Sequence, residues 1–492
     1  MGNLDYLVIG LFFLLMVFIG FYSSRKVKNS NDFFVAGGKV PWWLAGISHH
    51  VSGYSGVVFV AFAGVAYTYG FTVYVWWAVA ITIAVTIGAY LIAPRWCKLR
   101  RNLGIKSPTE YLQSRYNVPT QLVTAFSGSS LKLFDVAAKW ASMGILLNVF
   151  TGLNVMVGAT GTAMIALAYT TVGGLWADLY TDFVQFLIQV AAGILMFITI
   201  LGKLGGLGSI LGVWDRLPKG HGSPFNGPYT FTFFLGYTLV CFFSYNGGTW
   251  SLATRYIASP DAASAKKSGV LSGVLELVWP LILFFPMWVA PLFMPKLADP
   301  TDSYALMVRE FLPAGLVGLV LAGIFSATLS MVTSDANTIS AVITKDILPF
   351  LSRKFRNMDA KRELRLARIT TFTFVFLTLI ITAFYREFGG VIGLIITWFA
   401  ALVGPTAIPM VLGLIPLFKH SDSRAAMASI ITGVVVFVLT KVVGYHGSEA
   451  LTMSAPTIAS SVVYIGMGWV NRKEEIPEQV VLLLEGLRLK NE

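Results

Sequence analysis

Apolar residues run through the chain in blocks of about 20, the length that carries a helix across the hydrocarbon of a bilayer. These windows predict about thirteen spans, near 4–23, 42–70, 71–97, 120–150, 154–172, 178–203, 229–257, 267–294, 313–344, 366–385, 388–418, 425–444 and 450–471. Two of them are interrupted by polar and glycine residues. The middle of the second reads His49-His50-Val51-Ser52-Gly53-Tyr54-Ser55-Gly56, and the seventh breaks at Ser244-Tyr245-Asn246-Gly247-Gly248-Thr249. A backbone group left unsatisfied in hydrocarbon is so costly that non-helical backbone at that depth lasts only where it lines a cavity or is buried in protein. Gly-interrupted segments at corresponding places in two halves of a many-span chain point to the binding site of a secondary transporter.

Of the 492 residues, 56% are hydrophobic and 12% charged. Soluble domains carry roughly 25% charged residues, so the bulk of this chain is membrane-embedded and a soluble enzyme is excluded. The net charge of +12 is no nucleic-acid footprint, because most of the cations fall in loops on one side. That side holds Arg25 to Lys39, Arg95 to Arg115, the Arg255 to Lys267 loop, the eight cations between Lys345 and Arg368, and the tail 472–492. The other side holds Lys203, Arg216, Lys219, Lys296, Arg309, Arg386 and Lys441. The positive-inside rule then puts the N-terminus outside and the C-terminus in the cytoplasm of a multi-pass protein of the cell (inner) membrane. The run from Leu4 to Tyr22 lacks the basic start and small-residue cleavage site of a signal peptide and reads as a span. Cys97 and Cys241 have no metal-type spacing.

The Gly/Pro-rich loop between Lys203 and Pro228 separates the sixth and seventh spans and reads as a hinge between halves. If each broken span opens a unit of five, the units cover 42–203 and 229–418. An odd number of crossings then makes the second unit enter from the opposite side, an inverted repeat. Span 4–23 precedes them, and 425–471 completes a single domain of 1–471.

Ionisable residues inside spans are costly and are functional candidates by default. Lys132, Asp135 and Lys139 share one helical face and read either as a site or as an ion-pair ladder that fixes packing. Glu276 has no basic residue within a turn, so its charge must meet a cation, a proton or a polar solute group from another helix. Asp182 offers carboxylate oxygens suited to a hard cation, or serves as a helix-dipole partner. Seven hydroxyls between Ser326 and Ser340, including Ser330 and Ser334, join Asp335 in an oxygen-lined stripe. Single hydroxyls often only bond back to the preceding turn, but such a stripe beside a broken helix is how an all-oxygen sodium site is built. Tyr74, Trp76 and Trp77, with Tyr54 and Tyr245, can stack on a flat apolar solute face such as a sugar ring, and the first three can instead act as interfacial anchors.

Together these residues resemble the sodium/solute symporter family over about residues 4–471. The motifs that carry the likeness are NDFFVAGGKVPWWLAG, YTTVGGLWADLYTDFVQ, the Arg255 loop and TISAVITKD. The resemblance implies an all-α leucine-transporter-type five-plus-five inverted repeat with one extra N-terminal and two extra C-terminal spans. It also implies a sodium site between spans two and nine, with carbonyls from Val51, Tyr54 and Ala327 and the Ser330 hydroxyl. Met331 stands where many members have a second Ser or Thr, so either Asp335, Ser334 or Asp182 completes the shell or the sodium affinity is low. Asp182 matches the aspartate of members with a second sodium site. Tyr245 matches the aromatic inner gate of sugar-transporting relatives, whose glutamine, glutamate and lysine are here Val58, Trp77 or Ala78, and Glu276.

The expected function is sodium-coupled import of a small hydrophilic solute, a monosaccharide or polyol, by alternating access, with no covalent chemistry. Its partners are the solute, the sodium ion and the lipid bilayer, with no nucleic acid. The solute residues are His49, Ser52, Gly53, Tyr74, Trp77, Tyr245, Asn246 and Glu276, with Tyr245 as gate. Alternatives on the same scaffold are proton coupling through Asp335, Glu276 or a histidine, an amino-acid or carboxylate solute, and a channel-like or sensor role.

Overall fold

The computed structural model describes residues 1–356, 358–398, 403–442 and 449–489. Among them the regular secondary structure is helical, apart from one isolated bridge between Asn226 and Tyr229. Nine of the described helices are long and apolar enough to cross a membrane. The first interrupted run forms α2 (Trp42–Val51), a non-helical stretch, a π turn at Val58–Phe62 and α3 (Ala63–Tyr69), after α1 (Asn3–Ser24). A π turn at Tyr74–Val79 leads into α4 (Ala80–Leu91), followed by an amphipathic helix Ala93–Leu103, a short helix Tyr111–Arg115 and α5 (Val118–Thr151).

The fifth and sixth predicted spans meet in α6 (Val155–Leu204), which turns at Gly174 with φ 53° and ψ −153°. A Cβ there would lie 2.6 Å from the Phe33 ring, so both the backbone conformation and the neighbour require glycine. Gly174→Ala is expected to lower stability by about 1–3 kcal/mol, measured as the melting temperature of the purified protein. Gly202→Ala, with open space around it, is the neutral control.

The second interrupted run gives α7 (Phe231–Phe243), a π turn at Ser244–Gly248 and α8 (Trp250–Ile257). Then come α9 (Ala262–Phe293), α10 (Leu316–Val342), α11 (Ala360–Ala383), α12 (Gly390–Trp398) and α13 (Gly404–Leu412). The last are α14 (Ser423–Val442), α15 (Glu449–Val470) and α16 (Glu478–Leu487). Residues 399–402 of the eleventh predicted span, 443–448 between the last two, and Lys490 of the tail lie outside the described residues.

Side chains start and stop these helices. Asn117 caps α5 by accepting from the Thr120 N–H at 2.9 Å, and Asp261 caps α9 from Ser264 at 2.7 Å. Asp5 accepts from the N–H groups of Gly315 and Gly318 at 2.6 and 2.8 Å, tying α1 to the start of α10. The loop predicted as a hinge is folded over the end of α3: the His221 carbonyl accepts from the Phe71 N–H at 2.8 Å, and Asn226 donates to the Tyr69 carbonyl at 3.0 Å.

Three groups of helices result. The most buried, α10, packs among α1, α5, α6 and α11. Both broken helices sit with α4 and α9 in a second group, and α13, α14 and α15 form a third. Three arginines that the charge pattern places in loops, Arg95, Arg115 and Arg255, are buried. Arg115 donates to the carbonyls of Gly413 and Phe418 at 3.1 and 2.8 Å, satisfying the end of α13.

Candidate functional site

Neither interrupted crossing is a continuous rod. After α2 the chain makes tight turns, with Gly53 N–H donating to the His50 carbonyl at 2.9 Å and Tyr54 N–H to the Val51 carbonyl at 3.0 Å. Each carbonyl has two lone pairs, so Val51 keeps one to offer. The helix resumes at Gly56, whose N–H donates to Thr328 Oγ1 of α10 at 2.8 Å. Val51 and Tyr54 thus stand at a break pinned to α10 beside Ala327. In the other crossing Thr249 is extended (φ −87°, ψ 97°) between the π turn and α8.

Below the first break lies a buried charge cluster. Arg255 of α8 reaches Asp178 at 2.7 Å and Asp182 at 3.2 Å, both from α6. Its Nε donates to Ser48 at 2.9 Å and its Nη2 to Ser52 at 3.2 Å and to Ser334. The Ser48 and Ser330 hydroxyls donate to Asp182. Thr333 and Ser334 donate to Asp178 at 2.6 and 2.8 Å. Two carboxylates thus face one guanidinium among hydroxyl oxygens. Carboxylate and hydroxyl oxygens are the ligand type that hard cations take, and a buried carboxylate is costly unless it is paired.

A second cluster is neutral as a whole. Lys132 lies 2.6 Å from Asp135 and 3.1 Å from Asp335. Lys139 lies 2.8 Å from Asp135 and 2.6 Å from Asp335. Ser251 of α8 donates to Asp335 at 2.7 Å. The predicted ladder is therefore closed into a square by Asp335, and the structure holds Asp335 there rather than with Asp182, because two ammonium groups and a hydroxyl occupy its oxygens.

Glu276 meets the broken helix. Its Oε2 accepts from the Tyr54 hydroxyl at 3.1 Å, and its Oε1 lies 3.3 Å from His50 Nδ1. Gly53 lets the carboxylate come close: a Cβ there would sit 3.1 Å from Glu276 Oε1 and 3.3 Å from the Tyr245 hydroxyl.

Between the breaks opens a cavity of about 240 Å³. Ser52, Gly53, Ser244, Tyr245 and Thr249 give it a polar base that Asp135 and Lys139 also reach. Phe62, Trp76, Trp77, Phe233 and Tyr237 wall it. Of the predicted solute residues, Ser52, Gly53, Trp77 and Tyr245 line this space. Four others face elsewhere for identifiable reasons. His49 is engaged by Ser272 at 2.8 Å and Tyr256 at 3.0 Å. Tyr74 donates to the Leu277 carbonyl at 2.9 Å. The Asn246 amide donates to Ala84 at 3.0 Å and Phe242 at 2.8 Å. Glu276 lies behind Gly53. Met331 lines the cavity while its neighbour Ser330 turns to Asp182.

Asp178 and Ser48 escaped the sequence reading, and Thr333 entered it only as one of the seven hydroxyls of the stripe. Asp178 could have been found: it precedes Asp182 by four residues and shares its face.

The family model for the sodium:solute symporter family matches residues 33–433. The chain belongs to the sodium:solute symporter family. It is 25% identical over 471 residues to the sodium/sialic acid symporter SiaT of Proteus mirabilis (strain HI4320), covering 91% of this chain and 90% of that protein. It is 25% identical over 377 residues to the sodium/glucose cotransporter of Vibrio parahaemolyticus, covering 70% and 68%. Its fold is similar to that of a substrate-bound, outward-open Na+-coupled sialic acid symporter, with a TM-score of 0.82 at 20% identity over 95% of this chain and 98% of that one. Mhp1, a nucleobase-cation-symport-1 family transporter, follows with a TM-score of 0.61 at 15% identity over 92% and 98%. As in other members of the sodium:solute symporter family, the fold is of the leucine-transporter type and the transport is sodium-coupled.

Proposed function

We propose that the chain imports a small, hydrophilic, uncharged solute, a monosaccharide or polyol, together with sodium by alternating access. The observation that carries this reading is a pair of buried carboxylates, Asp178 and Asp182, facing the single guanidinium of Arg255 beside the first helix break, next to a cavity of about 240 Å³. Sodium sits between α2 and α10, on the Val51, Tyr54 and Ala327 carbonyls and the Ser330 hydroxyl, with Asp182 supplying the charge. Asp335 is held by the two lysines and Ser334 lies between Arg255 and Asp178, whereas Asp182 meets Arg255 only at 3.2 Å and otherwise accepts from Ser48 and Ser330. The basic face is cytoplasmic, so inward movement of one charge at 100 mV is worth about 2.3 kcal/mol.

The solute follows from charge and shape. The square of Lys132, Lys139, Asp135 and Asp335 is neutral and offers an anion no net attraction. Trp77 and Tyr245 offer rings against which the apolar side of a sugar packs. Proton coupling is a second reading, favoured by the buried His50–Glu276 contact at 3.3 Å. Proteoliposomes loaded with a sodium or a proton gradient decide between them. Uptake of glucose or inositol, but not of lactate, driven by sodium alone supports the reading; uptake driven by protons alone overturns it. Ser330→Ala, which removes one oxygen, is expected to raise the half-saturating sodium concentration about tenfold, from the loss of roughly 1.4 kcal/mol, with folding intact.

A further inference from the structure

The last described helix, α16, has an apolar stripe that the transport reading leaves unused. Val480, Leu483, Leu484 and Leu487 recur at helical spacing and are buried, whereas Leu482 is 62% exposed. The stripe lies against two supports, the helix Ala93–Leu103 on one side and the helix Tyr111–Arg115 with the turn Pro416–Phe418 on the other. Asn102 donates to the Gly486 carbonyl at 3.1 Å, and Lys98 donates to the Arg488 carbonyl. Arg424 pairs with Glu474 at 2.7 Å, fixing the segment that leads into α16.

The two supports belong to different parts of the molecule. Ala93–Leu103 rides with the broken helices: Trp96 donates to the Asn246 carbonyl at 2.8 Å, and Arg100 to the carbonyls of Ile257 and Ser259 at 2.7 and 2.8 Å. Tyr111–Arg115 is fastened to the end of α13, through Tyr111 to Met410 and Arg115 to Gly413 and Phe418. The stripe therefore crosses a seam between the broken-helix group and its surroundings, on the face that carries the basic loops.

We propose that α16 is a brace that holds this seam shut and thereby sets the balance between the two access states. The inference rests on the alternating-access reading above. When the broken-helix group rocks away, one of the two supports must leave the stripe and expose it to water. A contact made in only one of two states shifts their populations by the free energy that it contributes. Docked α16 favours the seam-closed state described here, and its removal favours the open one.

Spin labels on exposed Arg101→Cys and Lys419→Cys straddle the seam, the native Cys97 and Cys241 being buried. Double electron–electron resonance distances are compared in the full chain, in Leu483→Glu/Leu487→Glu, and in a chain stopped after Lys473. The expected result is at least a threefold rise in the long-distance population in both altered chains. Should the double variant fail to fold, the shortened chain decides alone. Identical distance distributions with and without α16 overturn the brace. Sodium-driven uptake by the unlabelled full chain is scored separately: uptake with an insensitive seam removes the brace only, and a sensitive seam without uptake removes the symport reading only.

Discussion

Asp182→Asn is expected to weaken sodium activation by about 30- to 1,000-fold, equivalent to roughly 2–4 kcal/mol. The substitution keeps the shape but removes the negative charge and turns one acceptor oxygen into an NH2 donor, leaving Asp178 and Arg255 as a closed pair. Sodium must then enter a neutral pocket with no charge to offset its lost hydration. The measurement is initial uptake as a function of sodium concentration. Asp182→Glu, which restores the charge at a shifted position, should recover part of the loss. A pure packing role for Asp182 predicts the opposite order, because glutamate is the larger disturbance.

Arg255→Met is expected to cost about 3–5 kcal/mol of stability, since removing one partner of a buried ion pair strands the other charges. Arg255 touches two carboxylates and three serines, and without it Asp178 and Asp182 face one another. The melting temperature should fall steeply, and raised sodium should recover part of it, because bound cation replaces the missing one. Arg255→Met/Asp178→Asn returns the cluster to one negative charge and should be more stable than Arg255→Met alone. If the double variant is no better than the single one, the charge arithmetic is wrong.

Much of this is legible in the chain itself. The two breaks stand out because hydrocarbon tolerates Gly and polar residues inside a long apolar run only where the loosened backbone lines a cavity or is covered by protein, and both breaks fall at residues 52–55 and 244–249. The fold class follows from the same pattern and from motifs at Asn31, Tyr169 and Thr338. The partnerships are not legible, because they join helices far apart in the chain. Asp335 groups by sequence with the hydroxyl stripe of its own helix, yet its partners are two lysines about 200 residues away. Arg255 reads as a surface cation because it ends a short helix next to a polar loop, and only the packing of α8 against α10 shows it buried. His49, Tyr74 and Asn246 belong to the cavity by position in the sequence; rotation about the helix axis turns each toward a neighbouring carbonyl or hydroxyl instead.

In this mechanism the Asp182 cluster at the first helix break binds sodium. Thermal unfolding of the purified protein, titrated with sodium chloride against choline chloride at constant ionic strength, reads out this binding. A sodium site at Asp182 predicts a saturable rise in melting temperature with sodium, absent with choline and lost in Asp182→Asn. Equal curves for sodium and choline, or a sodium effect that survives in Asp182→Asn, would contradict it.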